Sequence, residues 1–175
     1  NMDERKYCCF CGKKLVLKAL SDGSEEKFCA KCNYVFFDAP SPAVIVMVTN
    51  RNRVVLTRAA EWKHPYWGLV SGHIMLGETA EQTAVREVYE ETRLRIRDLK
   101  ILKTYVSKYQ DDLLMIAFKA ETRDSTIEKS KELEDAKWFE LNEPLPMRST
   151  SVAGQVVRLV SPRIQHLDLK ERENR

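Results

Sequence analysis

All five cysteines of this 175-residue chain lie between positions 8 and 32. Four of them form two Cys-x2-Cys pairs with seventeen residues between the pairs: Cys8 with Cys11, and Cys29 with Cys32. This spacing is typical of a zinc ribbon, in which four thiolates surround one Zn²⁺ ion as a tetrahedron. Cys9 falls outside the spacing. The sequence therefore predicts a structural zinc site, because four protein ligands leave no coordination position for a substrate.

A pair of disulfides is the alternative use of these cysteines. Disulfides are typical of exported proteins, whereas this sequence shows no charged leader followed by an apolar stretch and no apolar run of about 18 residues. We therefore expect a cytoplasmic protein that does not enter a membrane, and we favour zinc. Gly12 and Asn33 directly follow the two pairs, and both residue types tolerate the positive φ of a tight turn.

The length of the chain suits one domain of about 100–150 residues with a small addition. We assign residues 1–38 to the zinc ribbon, 39–165 to the main domain and 166–175 to a charged tail. Hydrophobic residues make up 43% of the sequence, which is sufficient for a packed core. The net charge of +3 is too small to indicate a nucleic-acid-binding protein by itself.

Strand and helix patterns alternate along the main domain and predict an α/β fold with a mixed sheet between helices. The predicted strands are 43–49, 53–59, 68–73, 101–109, 113–121 and 136–141, and the turns of two predicted hairpins are 50–52 and 110–112. One helix is predicted over 79–92, where Thr79 and Gln82 form a capping box. A second is predicted over 152–160, after Ser151 as its N-cap.

The predicted helix over 79–92 carries three glutamates on one face. Glu87, Glu90 and Glu91 stand at i, i+3 and i+4, where like charges repel and cost roughly a few tenths of a kcal/mol per pair. A cation must neutralise them, and Mg²⁺ prefers carboxylate oxygens. The alternative is a solvated acidic stripe, which is the usual environment of charges on a helix.

Gly72, Glu78 and the segment 86–94 together closely resemble the Nudix box, G-x5-E-x7-R-E-U-x-E-E-x-G-U, in which U is a bulky aliphatic residue. Every fixed position is met except one, since Arg93 replaces a glycine. The resemblance implies a Nudix hydrolase, an α/β/α sandwich with a mixed sheet that cleaves a nucleoside diphosphate linked to another moiety. It also implies Mg²⁺ or Mn²⁺ as the catalytic cofactor.

The same resemblance implies a metal site made of three glutamates and one backbone carbonyl, at Glu87, Glu90, Glu91 and Gly72. Arg86 and Glu78 complete the catalytic set. We expect these two residues to form an ion pair that holds the loop 72–78 against the helix. A pyrophosphate ester is a polyanion, so cations must neutralise its oxygens before water can reach phosphorus.

Arg93 is expected to strain the end of the helix. The glycine of the box suits a left-handed helix end, and this conformation costs a residue with a side chain on the order of 1 kcal/mol. The departure affects the local backbone and leaves the carboxylates in place. We therefore retain the prediction of an enzyme.

The ribbon followed by a Nudix box resembles the NADH pyrophosphatase branch of the family. The segment 131–141 resembles the Glu-rich start of a strand in that branch, which implies Glu132 as a further metal ligand and leaves Glu134 as the alternative. The Ser-Gln-Pro-Trp-Pro-Phe-Pro array associated with NADH recognition is missing, since the matching segment 106–118 has no proline and no tryptophan. NADH, ADP-ribose, a nucleotide sugar, FAD and a capped RNA end therefore remain open as substrates.

Aromatic residues crowd the approach to the box and offer a surface on which a nucleobase could stack: Trp62, His64, Tyr66 and Trp67. Trp67 is our substrate-binding candidate among them, and the alternative is that these residues close the edge of a core. Arg58 is a second candidate, because a guanidinium matches phosphate oxygens bidentately. Its alternative is an ordinary surface arginine.

Two function classes follow from these features. The first is a metal-dependent pyrophosphohydrolase that acts on a small nucleotide diphosphate, and a homodimer is common in such families. The second is a binding module, in which the ribbon grips nucleic acid or protein and an inactive Nudix domain senses a ligand. An inactive sensor should have lost box carboxylates. This chain keeps all four, Glu78, Glu87, Glu90 and Glu91, so we favour the enzyme.

Overall fold

The computed structural model describes residues 5–37, 39–107 and 113–166. The chain divides into two compact units, Asn1–Pro40 and Ser41–Arg175. Within the described part, none of the helices combines the length and the apolar character that crossing a membrane requires.

Three short antiparallel strands form the sheet of the first unit. They are β1 (Val16–Ala19), β2 (Glu25–Cys29) and β3 (Tyr34–Phe36). The small core of this unit consists of two cysteines and two apolar side chains, Cys8, Cys29, Leu15 and Phe36. Gly12 and Asn33 have φ values of 70° and 49°, so the positive φ predicted after each cysteine pair is confirmed.

A six-stranded mixed sheet forms the centre of the second unit. Its strands are β4 (Ser41–Asn50), β5 (Arg53–Ala59), β6 (Val70–His73), β7 (Ile96–Val106), β8 (Leu113–Thr122) and β9 (Leu133–Glu140). They lie in the order β7-β8-β4-β5-β9, and β6 also pairs with β4. Strands β4 and β8 are parallel, and the other pairs are antiparallel.

Strand β4 separates two hydrophobic cores. Met47 belongs to the core that contains helix α2 (Val152–Val160), and Val46 belongs to the core that contains helix α1 (Ala80–Thr92). Both side chains are buried, because alternate residues of a strand point to opposite faces of the sheet. The sheet therefore lies between two helices, and the predicted α/β/α sandwich with a mixed sheet is confirmed.

Both predicted helices are present at the predicted positions. Helix α1 follows Thr79, whose side chain accepts from the backbone N–H of Gln82 while the Gln82 side chain accepts from the backbone N–H of Thr79. Helix α2 follows Ser151, whose hydroxyl accepts from the backbone N–H of Gly154. The local capping signals in the sequence therefore fixed where each helix begins.

Three strands begin earlier than predicted. Strand β4 begins at Ser41 instead of position 43, β7 at Ile96 instead of position 101, and β9 at Leu133 instead of position 136. Strand β7 lies at the edge of the sheet and many of its residues are exposed, so charged side chains interrupt its apolar pattern. The predicted hairpin turn at 110–112 lies outside the described residues.

Helix α1 ends in a left-handed residue. Arg93 has φ 59° and ψ 10°, and its backbone N–H donates to the carbonyl of Tyr89. Its guanidinium carbon lies 5.2 Å from the centre of the Tyr89 ring. The expected left-handed helix end is thus present, with an arginine in a conformation that glycine adopts without steric cost.

Replacing Arg93 should show how much strain this end carries. We expect Arg93→Gly to be more stable than Arg93→Ala by about 1 kcal/mol, because both variants lose the contact with Tyr89 but only alanine keeps a Cβ atom on left-handed backbone. Urea unfolding of the two variants measures the difference. Equal stabilities would show that the helix end is not strained.

Candidate active site

The guanidinium of Arg86 lies at the centre of the charged cluster on helix α1. Its Nε and Nη2 atoms donate to the two carboxylate oxygens of Glu78, at 2.7 and 2.9 Å. Its Nη1 atom donates to Glu87 at 2.8 Å and to Glu90 at 3.0 Å, and Nη2 also donates to the carbonyl of His73 at 3.2 Å. The expected ion pair between Arg86 and Glu78 is therefore present, and it ties the loop after β6 to the helix.

Glu78 makes further contacts within this loop. Its Oε2 atom accepts from the hydroxyl of Thr83 at 2.8 Å and from the backbone N–H of Met75 at 3.2 Å. The bonds from Arg86, and then from Thr83, lower the pKa of Glu78 to about 2. Glu78 is thus held in its charged form and positions the loop through Arg86.

The carboxylate of Glu87 packs against the backbone of Gly72. A Cβ atom at position 72 would lie 2.0 Å from the carboxyl carbon of Glu87, so a side chain at this position would displace the carboxylate from where it lies. Gly72 is held in place by its pairing with Val44 in the sheet. The backbone of Gly72 and the carboxylate of Glu87 are therefore neighbours, as a shared metal site requires.

Glu91 has a buried oxygen without a donor. Its Oε2 atom has no hydrogen-bond partner among the described residues. Burial, and then the charges of Glu87 and Glu132, raise the pKa of Glu91 to about 8. A carboxylate in this position loses its hydration without gaining a donor. A cation beside it would supply the missing partner, so the donor set fits a divalent metal.

Glu132 and Glu134 have different surroundings. Burial raises the pKa of both Glu87 and Glu91, and the charge of Glu132 raises it further. The carboxylate of Glu132 therefore acts electrostatically on the box. Glu134 instead forms an ion pair with Arg58, in which Nε and Oε2 are 2.6 Å apart. Of the two alternatives, Glu132 is better placed to join the box glutamates.

The glutamates are grouped less tightly than the cysteines. Among the residues that the structure describes, the four cysteines are the one set of three or more Cys, His, Asp or Glu residues whose ligand atoms all lie within 4.8 Å of one another. Glu87 and Glu90 both contact Arg86. Since Mg²⁺ keeps several of its water ligands, it does not need the close grouping that zinc obtains from four thiolates.

A cavity of about 330 Å³ opens beside the start of β6. Its walls include the aromatic segment predicted to stack on a base and two residues before helix α2: Trp62, His64, Tyr66, Trp67, Arg148 and Ser151. Arg148 lies 4.9 Å from the centre of the Tyr66 ring. No sequence pattern predicts Arg148 at this site, because only the tertiary fold brings it to this segment.

Trp67 lies between this cavity and the core. Its ring meets the ring of Phe139 edge-on, with centroids 5.0 Å apart, and Nζ of Lys137 lies 5.6 Å from its centre. One side of the Trp67 ring therefore closes the edge of the core, as the alternative interpretation predicted. The ring also forms part of the cavity wall.

Arg58 holds the aromatic segment in place. Its guanidinium donates to the backbone carbonyls of Trp62, His64 and Tyr66, in addition to the ion pair with Glu134. These bonds use its donors inside the protein and support the cavity wall. Its contact with a substrate phosphate stays a prediction.

The four predicted zinc ligands lie together in the first unit. The Sγ atoms of Cys8 and Cys32 are 3.8 Å apart, and those of Cys11 and Cys29 are 3.6 Å apart. A disulfide needs about 2.05 Å, whereas tetrahedral Zn–S bonds of about 2.3 Å separate the sulfurs by about 3.8 Å. Cys9 is exposed and outside the group. The cluster therefore has the dimensions of a four-thiolate metal site.

Removing the charge of Glu78 should destabilise the metal-free protein at neutral pH, because Arg86 loses its bidentate partner. The folded-state pKa of Glu78 is about 2, below its ordinary value of 4.5. Its contribution is therefore complete above about pH 4.5 and is lost as the pH falls toward 2. Urea unfolding of wild type and Glu78→Gln along this range should show the two stabilities converging in acid. A gap that does not change with pH would contradict the assignment.

The second unit matches a known family. The family described as NUDIX domain matches residues 39–160. A protein named NAD-capped RNA hydrolase NudC from Pseudomonas fluorescens is 28% identical over 169 residues, which are 94% of this chain and 59% of that protein. The protein of the same name from Pseudomonas syringae pv. tomato is 31% identical over 146 residues, 82% of this chain and 51% of that protein. The chain thus spans about half to three-fifths of the length of these curated relatives.

Solved structures show the same fold. The crystal structure of a NUDIX hydrolase from Nitrosomonas europaea matches with a TM-score of 0.64 at 20% identity, over 93% of this chain and 96% of that chain. The NUDIX domain of Shewanella oneidensis NrtR, solved as a complex with ADP ribose, matches with a TM-score of 0.57 at 20% identity, over 78% of this chain and 93% of that chain. Because the family match covers more than half of the sequence and includes every residue of the box, this chain belongs to the NUDIX domain family.

Proposed function

We propose that the chain is a divalent-metal-dependent pyrophosphohydrolase that cleaves a nucleoside diphosphate linked to another moiety. The observation that carries the proposal is the buried Oε2 atom of Glu91. This oxygen has no hydrogen-bond donor among the described residues. Burial, and then the charges of Glu87 and Glu132, raise the pKa of the Glu91 carboxyl. A cation would satisfy this oxygen, and a diphosphate substrate needs the same cation.

The box residues divide into ligands and positioning residues. We assign the ligand role to four carboxylates and one backbone carbonyl, on Glu87, Glu90, Glu91, Glu132 and Gly72. Mg²⁺ or Mn²⁺, when bound there, neutralises the diphosphate and lowers the pKa of water. Arg86 and Glu78 hold the loop after β6 against the helix that carries the box glutamates.

The cavity beside Trp67 suits the nucleoside part of the substrate. Gly68 lines the cavity, and Gly72 lies at the glutamates. The two glycines are four residues apart in a largely extended segment, about 13 Å. A dinucleotide can therefore place one planar ring against Trp67 and its diphosphate near Glu87. Arg58 supports this arrangement through the carbonyls that it holds.

The names of the similar proteins favour the same substrate class. The Pseudomonas proteins are named NAD-capped RNA hydrolases, and the NrtR domain was solved with ADP ribose. Both ligands contain an adenosine diphosphate joined to another group. We therefore place ADP-ribose, the NAD class of dinucleotides and a dinucleotide-capped RNA end ahead of nucleotide sugars as substrates of this chain.

A hydrolysis screen with Mg²⁺ or Mn²⁺ tests the proposed function. The substrates are NADH, ADP-ribose, FAD, a nucleotide sugar and a capped RNA, with chromatographic identification of the products. We expect metal-dependent cleavage within the diphosphate of at least one of them. If none is cleaved, the binding-module alternative becomes the better explanation of the chain.

Replacing Glu91 should separate catalysis from stability. We expect Glu91→Gln to lower turnover by several orders of magnitude, because one metal ligand is lost. Without metal, the variant should melt no lower than wild type, since the neutral amide avoids both the burial of a carboxylate beside Glu87 and the proton uptake that a pKa of about 8 imposes on Glu91. Adding Mg²⁺ should raise its melting temperature less than that of wild type, because ligand binding to the native state is what stabilises.

Glu81→Gln is the matched control for this experiment. Glu81 is an exposed glutamate in the first turn of the same helix, and it should keep wild-type turnover and the wild-type response to Mg²⁺. Full activity of Glu91→Gln, or an unchanged stabilisation by Mg²⁺, would show that Glu91 is not a metal ligand.

We also propose that the four clustered cysteines hold one structural Zn²⁺ ion. Elemental analysis should find about one zinc per chain. We expect Cys8→Ser to lose this zinc and to destabilise the first unit. The metal site exists only in the folded state, so the free energy of zinc binding adds to the free energy of folding. Cys9→Ser is the matched control and should keep both zinc and stability. Absence of zinc from a folded, fully reduced wild-type protein would contradict the proposal.

A further inference from the structure

A row of arginines follows helix α1. In the segment 93–97, three exposed arginines alternate with Leu94, which is buried, and Ile96, which is half-buried. Extended backbone turns successive side chains to opposite faces. Arg95 and Arg97 therefore lie on the same side, about 7 Å apart.

More arginines lie at the same end of the sheet. Strand β7 begins there, β8 ends there, and the turn from β4 to β5 lies there as well. Two surface depressions at this end are adjacent, because Arg123 and Ser125 line both. We call the arginines that line these depressions the arginine band: Arg51, Arg53, Arg93, Arg95, Arg97 and Arg123.

Carboxylates offset only part of this charge. Glu121, Asp124 and Glu128 line the same depressions, which gives three carboxylates for six arginines. Glu121 pairs with Arg97 at 3.3 Å, and Asp98, outside the depressions, lies 3.8 Å from the same guanidinium. Asp124 accepts from the backbone N–H of Arg95, so this bond does not neutralise the Arg95 guanidinium by direct contact. The band therefore keeps an excess of positive charge.

Two arginines of the band stand at opposed positions on neighbouring strands. Ile96 pairs with Thr122, which places Arg95 and Arg123 at the next position of the register. The hydroxyl of Thr122 donates to the carbonyl of Arg95 at 2.8 Å. Like charges at opposed positions destabilise a sheet. Within the described residues, neither guanidinium has an ion pair or a hydrogen bond that would relieve the repulsion.

Arg93 adds charge to the band in spite of its backbone. It is the left-handed residue at which the box otherwise has glycine. An observed backbone outlier of this kind points to a functional constraint. A need for the positive charge of the Arg93 side chain, at the point where the band meets helix α1, would explain why an arginine occupies this left-handed position.

The band begins beside the glutamates and leads away from them. Glu90 precedes Arg93 by three residues, about 4.5 Å along the helix axis. From there the band crosses the ends of β7, β8, β4 and β5, which is three steps between strands or about 14 Å. The length of the band, about 14 Å, is greater than the length of the diphosphate that would bind at the glutamates.

We propose that the arginine band binds the sugar–phosphate backbone of an RNA strand whose 5′ end carries the diphosphate held at the box glutamates. Guanidinium groups match phosphate oxygens bidentately, and a track beyond the diphosphate requires further phosphates. The inference rests on the proposed function and narrows its substrate to a dinucleotide-capped RNA.

The shape of the band favours a strand over a membrane surface. Its arginines line open depressions of about 610 and 680 Å³, which can accommodate a chain. None of the described residues that line them is an aliphatic residue able to enter a bilayer. The band therefore suits a strand of phosphates better than the surface of a bilayer.

Binding of uncapped RNA tests the band directly. Anisotropy of a labelled single-stranded RNA of about 15 nucleotides is measured between about 50 and 200 mM salt. We expect the double variant Arg95→Gln/Arg123→Gln to weaken the Kd about tenfold or more. The slope of log K against log salt should fall by about 1.4, because each lost contact with a single strand removes about 0.7. Arg163→Gln removes an exposed arginine outside the band and should behave as wild type.

The second measurement is the ratio of kcat/KM for a dinucleotide-capped RNA to kcat/KM for the free dinucleotide. The double variant should lower this ratio about tenfold, in line with its loss of RNA affinity, and Arg163→Gln should not change it. Unchanged RNA affinity and salt slope in the double variant would overturn the proposal. So would binding to phosphatidylserine vesicles that depends on Arg95 and Arg123 while RNA is not bound.

The two proposals fail in different ways. If the free dinucleotide is cleaved and RNA binding does not depend on the band, the band proposal is wrong and the hydrolase remains. If RNA binding depends on the band and no dinucleotide is cleaved, the proposed function is wrong while the RNA-binding surface remains.

Discussion

The contacts of Arg86 hold together the charged face on which the candidate active site depends. Its bidentate bond to Glu78 fixes the loop after β6 against helix α1, and its bonds to Glu87 and Glu90 offset part of their repulsion. Its donors do not reach the buried Oε2 atom of Glu91, which stays without a partner among the described residues. The chain thus supplies one cation for this face and leaves a place suited to a second cation from solution.

Local signals in the sequence predicted the parts of the fold that depend on neighbouring residues. The capping box at Thr79 and the left-handed end at Arg93 each involve a few consecutive positions, so their geometry could be inferred directly. The pair of Arg86 and Glu78 could be inferred because both belong to one spaced pattern. The four thiolates of the first unit followed from spacing in the same way, since their ligand geometry is set by short loops.

The parts that depend on tertiary contacts could not be predicted. Arg58 resembled a phosphate ligand in sequence, yet the fold surrounds it with the carbonyls of its own loop. Arg148 reaches the aromatic cavity only because helix α2 packs on the sheet. The start of β7 at Ile96 was hidden by charged residues on an edge strand, where one face needs no apolar side chains. Net charge likewise concealed the local clustering of arginines.

The parallel pairing of β4 and β8 determines when the carboxylate set can form during folding. Ser41 pairs with Leu113, more than seventy residues away, and the whole box lies between them. Bringing the two ends of such a long loop together lowers the conformational entropy of the chain before the strand contacts can stabilise it. Long-range pairs such as β4 with β8 therefore form slowly. Glu132, the further ligand that we propose, follows β8 in the chain, so it would join the box only after both β8 and β9 have entered the sheet. High-affinity metal binding is therefore expected to follow the closing steps of folding and not to guide the early ones.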